Sequence, residues 1–229
     1  MIRSQTLFSA PMPISLTFDD GWKSQYENAL PILDKYQLKA TFYIITCFLP
    51  VDDKYYMNKS QILRLYHEGH EIGAHTVTHP NLQLTFPWNQ RQIPQSKTDL
   101  ENIGIKVKSF SYPYGKHHFL ARRMARNSGY ENARAVGGRC NKTHIAQYAV
   151  KARSVKATTT IDQVRSWIDK ARDRLLVLVF HDISEQPGPW GCTPHTLEEI
   201  CRLLTAPGIV SLPLTDALKA AKKNTPIPA

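Results

Sequence analysis

With 229 residues, 42% of them hydrophobic, the chain is long enough for one globular domain with a substantial core. No run approaches the roughly 18 apolar residues of a membrane span. The formal charge of +10 favours acidic partners, but the cations are scattered, and the densest group, Arg122, Arg123, Arg126, Arg134 and Arg139, reads as a solvated helix face rather than a nucleic-acid footprint.

Met1 to Ser9 holds one arginine and no apolar h-region, so no secretion signal is visible and the default compartment is the cytoplasm unless a leader has been trimmed. Pro13 to Leu16 is a short β-prone run that predicts a buried strand ending in Thr17-Phe18-Asp19-Asp20-Gly21-Trp22. Ser24 to Tyr36 carries Tyr26, Leu30, Leu33 and Tyr36 at helical spacing, with Pro31 predicting a kink or a late start. Ala40 to Thr46 is a second buried strand, and Pro50 to Met57 a polar loop. Ser60 to Glu68 reads as a helix capped by Asn58 and stopped by Gly69. Glu71 to Ala74 is a third strand leading into His75, and Thr78 to Pro94 a loop. Gln95 to Ile103 is a helix, Val107 to Tyr112 a fourth strand, and His117 to Ser128 a helix stopped by Gly129. Asn132 to Val136 and Ala149 to Val155 are weaker strands, followed by a helix over Ile161 to Arg174. Leu175 to Phe180 is the most apolar strand, followed by a helix (Thr196 to Leu204), a strand (Ile209 to Leu212), a helix (Thr215 to Lys222) and a frayed tail from Asn224.

Strands alternating with helices about seven times, in apolar runs lacking period-2 alternation, predict parallel strands covered on both faces. A (β/α) barrel over the single domain 1–229 is the natural solution, with functional residues at the C-terminal strand ends. A doubly wound open sheet is the alternative, but no G-x-G-x-x-G supports a dinucleotide fold. Cys47, Cys140, Cys192 and Cys201 show no C-x-x-C spacing; Cys192 and Cys201 are the one pair considered for a disulfide, and free thiols are the expectation.

Chemistry-bearing residues gather at four strand ends. Asp19 and Asp20 can be aimed at one site in different roles, one on a cation and one on a proton; the plainer alternative is an Asx turn in which Asp20 caps the next helix. His75 and His79 lie four apart and face the same way if the segment is one helical turn. Two imidazoles and a carboxylate make a set suited to Zn²⁺, Co²⁺, Ni²⁺ or Fe²⁺ with positions left open for water and substrate. Tyr112-Pro113-Tyr114-Gly115 is a turn that can present backbone N–H groups. His181 follows six apolar residues and sits at the core rim, where a histidine serves either as a packed group or as a general acid.

These four segments resemble the motifs of the NodB-homology polysaccharide deacetylases, carbohydrate esterase family 4. T-F-D-D-G stands at Thr17 to Gly21, H-[ST]-x-x-H-P at His75 to Pro80, part of the third motif at Tyr112 to Gly115, and L-x-x-H at Leu178 to His181. The resemblance spans residues 12 to about 215. It implies a distorted (β/α)₇ barrel and hydrolytic removal of an N-acetyl group from a glycan or glycoconjugate by metal-activated water. It assigns Asp20, His75 and His79 to a divalent metal, Zn²⁺ first and Co²⁺ or Ni²⁺ next. Asp19 becomes the base, His181 the acid, and the backbone N–H of Tyr114 an oxyanion donor. Tyr112, Pro113, Tyr114, Leu178 and Trp190 are the expected substrate contacts.

The match has gaps. Ser111 stands where many members carry an arginine beside the base, and the D-x-x-D-W element has no clear counterpart. Arg153 is the candidate for the missing positive charge, and Asp162 for a carboxylate behind the acid. Trp22, Trp88 and Trp190 lie in or beside loops, as sugar-stacking rings or as wall fillers. Ser184 to Pro194 is the expected substrate-shaping loop, and His117 and His118 read as surface residues at a helix start. Two competing functions stand beside deacetylation: hydrolysis of a small non-sugar amide, and glycan binding without catalysis.

Overall fold

The computed structural model describes residues 11–49, 52–85, 89–138, 140–141, 145–171 and 174–223. Trp88, Arg139, the Met1 to Ser9 segment and the tail from Asn224 lie outside the described residues.

Eight parallel strands form one curled sheet: β1 (Met12–Phe18), β2 (Thr41–Ile44), β3 (Glu71–Ala74), β4 (Ser109–Ser111), β5 (Asn132–Arg134), β6 (Arg153–Ser154), β7 (Leu176–Phe180) and β8 (Ile209–Ser211). The order is β5-β4-β3-β2-β1-β7-β6. β8 pairs with the start of β1, Met12 opposite Ile209, below the point where β2 pairs at Thr17 and Phe18. Past β5 the ring closes irregularly. The chain ahead of β6 runs beside β5, with Val150 N–H donating to Ala133 O at 2.9 Å and Ala135 N–H to Val150 O at 2.8 Å. The distorted (β/α)₇ barrel of the sequence reading is the fold.

The helices are α1 (Leu30–Lys35), α2 (Lys59–His67), α3 (Leu82–Thr85), α4 (Gln92–Glu101), α5 (Phe119–Asn127), α6 (Ile161–Lys170), α7 (Pro194–Leu204) and α8 (Leu214–Lys223). Local chemistry explains their starts. Asn58 with Gln61, and Thr160 with Gln163, form capping boxes on α2 and α6. Thr193 caps α7 ahead of Pro194. The helix expected from Ser24 is a π-helical turn over Gln25–Ala29 leading into α1. Pro31 supplies the reason, because it lacks an N–H and its ring crowds the carbonyl four residues back. The Thr78 to Pro94 loop is shorter than expected. It contains α3, and α4 already starts at Gln92, its first turn tolerating Pro94.

β1 corrects the expectation of unpatterned apolar strands. Ile14, Leu16 and Phe18 share one apolar cluster with residues of the surrounding helices, including Ile62, Ile93, Leu197 and Ile200. Ser15, Thr17 and Asp19 alternate with them and are also buried. The same alternation puts Ser109, Ser111, Asn132 and Arg134 among the buried polar residues. Part of this set forms a chain of bonds: Tyr43 to Ser109 at 2.5 Å, Ser109 to Asn132 at 2.7 Å, and Asn132 to Thr215 of α8 at 2.8 Å. Room for the Tyr43 ring comes from Gly73, where a Cβ would lie 2.5 Å from it. The rings of Phe18 and Phe180, at the ends of β1 and β7, and of Phe42, opposite Phe18 in β2, stack at 4.9 and 5.1 Å, a contact worth about 1 kcal/mol per pair. That stack packs the ends of β1 and β7, from which Asp19 and His181 follow.

Candidate active site

Asp19 leaves the end of β1, its N–H donating to Phe180 O at 2.9 Å, and is 3% exposed. The side chain of Gln25 ties this strand end to that of β7, its Nε2 donating to Asp19 O at 2.5 Å and His181 O at 3.0 Å. Asp20 takes φ 74, a left-handed conformation that turns the chain between the two carboxylates. Asp19 and Asp20 are thereby given different partners.

Asp19 is gripped by Arg134 of β5, whose Nη2 donates to both carboxylate oxygens at 2.5 Å and also to Ser111 Oγ. Arg134 is fully buried. Burial alone would push the Asp19 carboxyl up, but the Arg134 guanidinium holds it below the usual carboxylate range. Arg134 therefore supplies the charge that Ser111 cannot, which corrects two expectations. Arg134 is not part of a solvated helix face, and Arg153 does not serve the base. The guanidinium of Arg153 lies 4.9 Å from the Trp167 ring of α6 instead. The readable signal was Asn-Ala-Arg-Ala-Val in a weak strand, where the polar residues share one face of an otherwise small-residue run.

The histidine pair does not sit on a helical turn as expected. Residues 75–80 are loop, and the rings meet, 4.8 Å apart, because Thr76 and His79 take φ 67 and 57. Gln92 at the start of α4 holds this loop, its Oε1 accepting from Val77 and Thr78 N–H at 2.9 Å each. Thr76 Oγ1 accepts from His79 N–H at 2.9 Å. His75 Nδ1 donates to Ser111 O at 2.8 Å, which leaves its Nε2 lone pair free. That Nε2 lies 3.5 Å from Asp20 Oδ1, and His79 Nε2 lies 3.4 Å from the same oxygen. Burial drives both imidazoles to their neutral forms: His75 is lowered, and His79 is lowered to about 4 with His75 contributing.

This geometry fits a metal. Asp20 Oδ1 is buried with no hydrogen-bond partner among the described residues. Asp20 Oδ1 and the unprotonated His75 Nε2 thus converge with His79 Nε2. Zn²⁺ bonds of about 2.0–2.2 Å at tetrahedral angles place neighbouring donor atoms about 3.3–3.5 Å apart, the spacing observed from Oδ1 to each nitrogen. Asp20 does not simply cap a helix: its Oδ2 accepts from Trp22 Nε1 at 3.0 Å.

A second cluster, Asp34, Glu68 and His70, lies away from these strand ends. His70 Nδ1 accepts from Ala40 N–H at 3.2 Å, so the neutral ring carries its proton on Nε2 and has no lone pair there for a metal.

His181 Nε2 stands 3.8 Å from Asp19 Oδ2, across from His75 at 3.9 Å. Its Nδ1 is buried without a partner among the described residues. Asp162 does not back it: that side chain is 97% exposed and reaches Arg165 of its own helix at 4.0 Å.

These groups open into a cavity of about 930 Å³ that Asp19, Asp20, His75, His79 and His181 line from below. Tyr114, 62% exposed, and Trp190, 54% exposed, stand among its walls. Tyr114 takes φ 60 and its ring lies 4.7 Å from His79. Trp190 rises from the expected substrate-shaping loop, which is fastened at its base by Cys192 N–H donating to Asp182 O at 3.0 Å. Tyr112, Pro113 and Leu178 are buried and do not line the cavity. Leu178 belongs to the alternating set that faces the helices, and the Tyr112 hydroxyl donates to Tyr148 O at 3.1 Å. All four cysteines are free, and His118 caps α5 while His117 packs against Tyr112 at 4.8 Å.

The model of the polysaccharide deacetylase family matches residues 9–133, more than half of the chain. This chain belongs to that family. It is 30% identical over 120 residues to the putative polysaccharide deacetylase YxkH of Bacillus subtilis, covering 52% of this chain and 42% of that protein. It is 30% identical over 105 residues to the peptidoglycan-N-acetylglucosamine deacetylase PgdA of Listeria monocytogenes, covering 44% and 21%. The chain spans less than half the length of these curated relatives. Among solved structures, a family 4 acetyl xylan esterase from Clostridium thermocellum, in complex with a cobalt ion, superposes with a TM-score of 0.63 at 25% identity over 90% of each chain. Among the described residues no helix is long and apolar enough to cross a membrane.

Proposed function

We propose that this polysaccharide deacetylase is a metal-dependent N-deacetylase acting on an N-acetylated glycan or glycoconjugate. The observation that carries this reading is the unpartnered Asp20 Oδ1 ringed by two neutral imidazoles, one ionised aspartate away from His181. Asp20, His75 and His79 hold the ion, and their N/N/O set suits Zn²⁺, with Co²⁺ or Ni²⁺ as substitutes. A cobalt ion in a solved relative supports the divalent class. When bound, the ion supplies Lewis acidity, polarising the amide carbonyl and making water acidic near neutral pH.

The chain's own residues do the rest. Asp19, kept ionised by Arg134, takes the proton of the attacking water on Oδ2. The Tyr114 backbone N–H holds the negative charge developing on the carbonyl oxygen, an effect typically worth about 3 kcal/mol. An amine leaves poorly as an anion, so His181 delivers a proton to it from Nε2. The rings of Trp190 and Tyr114 offer faces for sugar units on either side of the centre.

The cavity of about 930 Å³ suits an oligosaccharide segment better than a small amide. The test is acetate release from N-acetylated oligosaccharides and small amides, with chelator and then with Zn²⁺ or Co²⁺ restored. Chelator-sensitive release from the glycans supports the proposal. Release from small amides alone favours the other hydrolase reading. Glycan binding with no acetate from any substrate leaves a non-catalytic barrel.

A further inference from the structure

We infer that Trp22 is a positioning residue of the metal centre: its indole N–H occupies one Asp20 oxygen and so reserves the other for the ion. This rests on the metal-binding reading above. An aspartate on a left-handed turn has two equivalent oxygens and a freely turning carboxylate. Here Oδ2 accepts from Trp22 Nε1 at 3.0 Å, and only Oδ1 is left to face His75 and His79. The bond also draws charge toward Oδ2, so the carboxylate is held for one-oxygen ligation rather than for a chelating grip.

The indole is itself fixed. Its ring stacks on Tyr56 with centroids 5.1 Å apart, and Tyr56 stacks on Phe48 at 3.7 Å. Trp22 and Tyr56 also form an antiparallel bridge. On either side of Trp22, Lys23 N–H donates to Tyr55 O at 2.7 Å and Met57 N–H to Gly21 O at 2.9 Å. The loop carrying Tyr55 and Tyr56 is thereby a support for the metal ligand. A ring placed only to fill the cavity wall would need neither the oriented N–H nor the backbone clamp.

The experiment measures Zn²⁺ affinity in the absence of glycan, by competition with a chromogenic chelator, for the full chain and its Trp22→Phe and Trp22→Tyr variants. Both variants keep an aromatic ring against Tyr56 and lose the indole donor. Loss of a group that orients a metal ligand costs 10–100-fold in affinity, and that loss is expected in each variant. Acetate release lost at limiting Zn²⁺ should return as Zn²⁺ is raised. Affinity within twofold of the parent in either folded variant overturns the inference while leaving the metal centre standing. A parent chain that binds no Zn²⁺ overturns both. Activity that stays low at saturating Zn²⁺ with unchanged affinity makes Trp22 a substrate contact and also refutes the positioning role.

Discussion

Replacing Arg134 by methionine tests the arrangement around the base most sharply. The side chains of Arg134 and Asp19 are 0% and 4% exposed, so water cannot screen the charge left behind. Two unit charges centred about 4 Å apart interact by about 4 kcal/mol at an effective dielectric constant near 20. Removing one partner of a buried pair costs about 3–5 kcal/mol by mutational precedent, in agreement. For a chain of this size each kcal/mol lowers Tm by about 2–4 °C, so Arg134→Met should melt about 8–16 °C lower in chelator. Without the guanidinium, burial favours the protonated Asp19 carboxyl, and acetate release should fall by about 10²–10⁴, the usual worth of a general base. Asp19→Asn in the Arg134→Met background should recover part of the lost stability, because the orphaned carboxylate is gone. Calorimetry on the four proteins of that cycle, with acetate release alongside, decides the matter. The reasoning is refuted if Arg134→Met moves Tm by less than 2 °C, or if the two stability losses simply add.

Asp19→Asn should abolish most acetate release and still bind Zn²⁺, whereas Asp20→Asn should lose both, as read by chelator competition; the reverse pattern would exchange their roles. His70 is buried with its pKa lowered to about 4, by burial first and then by Lys39, against the pull of Asp34 and Glu68. It is neutral when folded and takes a proton below about pH 6.5 when unfolded, so its contribution is whole above that pH and is lost as pH falls through 4. The loss amounts to about 3 kcal/mol in all, and urea midpoints between pH 7 and 4.5 should shift in the parent and shift less in His70→Asn. Gly115 has φ 66, and a Cβ there would sit 2.3 Å from that of Val136, so Gly115→Ala should cost about 2–5 kcal/mol in denaturant unfolding.

Several element boundaries were legible because they carry local chemistry: Asn58 at the start of α2, Gly69 and Gly129 at helix stops; the cap Thr193 went unread, and α7 starts at Pro194 rather than Thr196. The four site segments were legible because each ends a strand, and a barrel gathers strand ends. Arg134 had a readable place in the polar alternation of its strand, but its pairing with Asp19 was not legible. Its role depends on β4 and β5 being neighbours in register, Ser111 opposite Arg134, so that an arginine can move one strand over and still reach the base. No spacing along the chain encodes that. Tyr112 and Leu178 were misplaced for the opposite reason: motif membership says nothing of which face of a strand or turn a side chain takes. Their neighbours in the apolar cluster do, and these include residues of the helices around the barrel.

The backbone shows how the Asp20 carboxylate and the two imidazoles are held together. Five non-glycine residues among those described have positive φ, and four of them, Asp20, Thr76, His79 and Tyr114, are metal-site or cavity residues or adjoin them. Each such conformation costs about 1–3 kcal/mol and persists only where the surroundings over-determine it. The surroundings here are identifiable. Gln92 holds the Thr76 to His79 turn, the Trp22 indole holds Asp20, and Gln25 joins the strand ends beneath. Relaxing these turns would let Asp20 Oδ1 find a hydrogen-bond donor and the imidazoles separate. The fold instead gives up stability to hold a carboxylate oxygen and two imidazoles together, the cost expected of the metal centre proposed above.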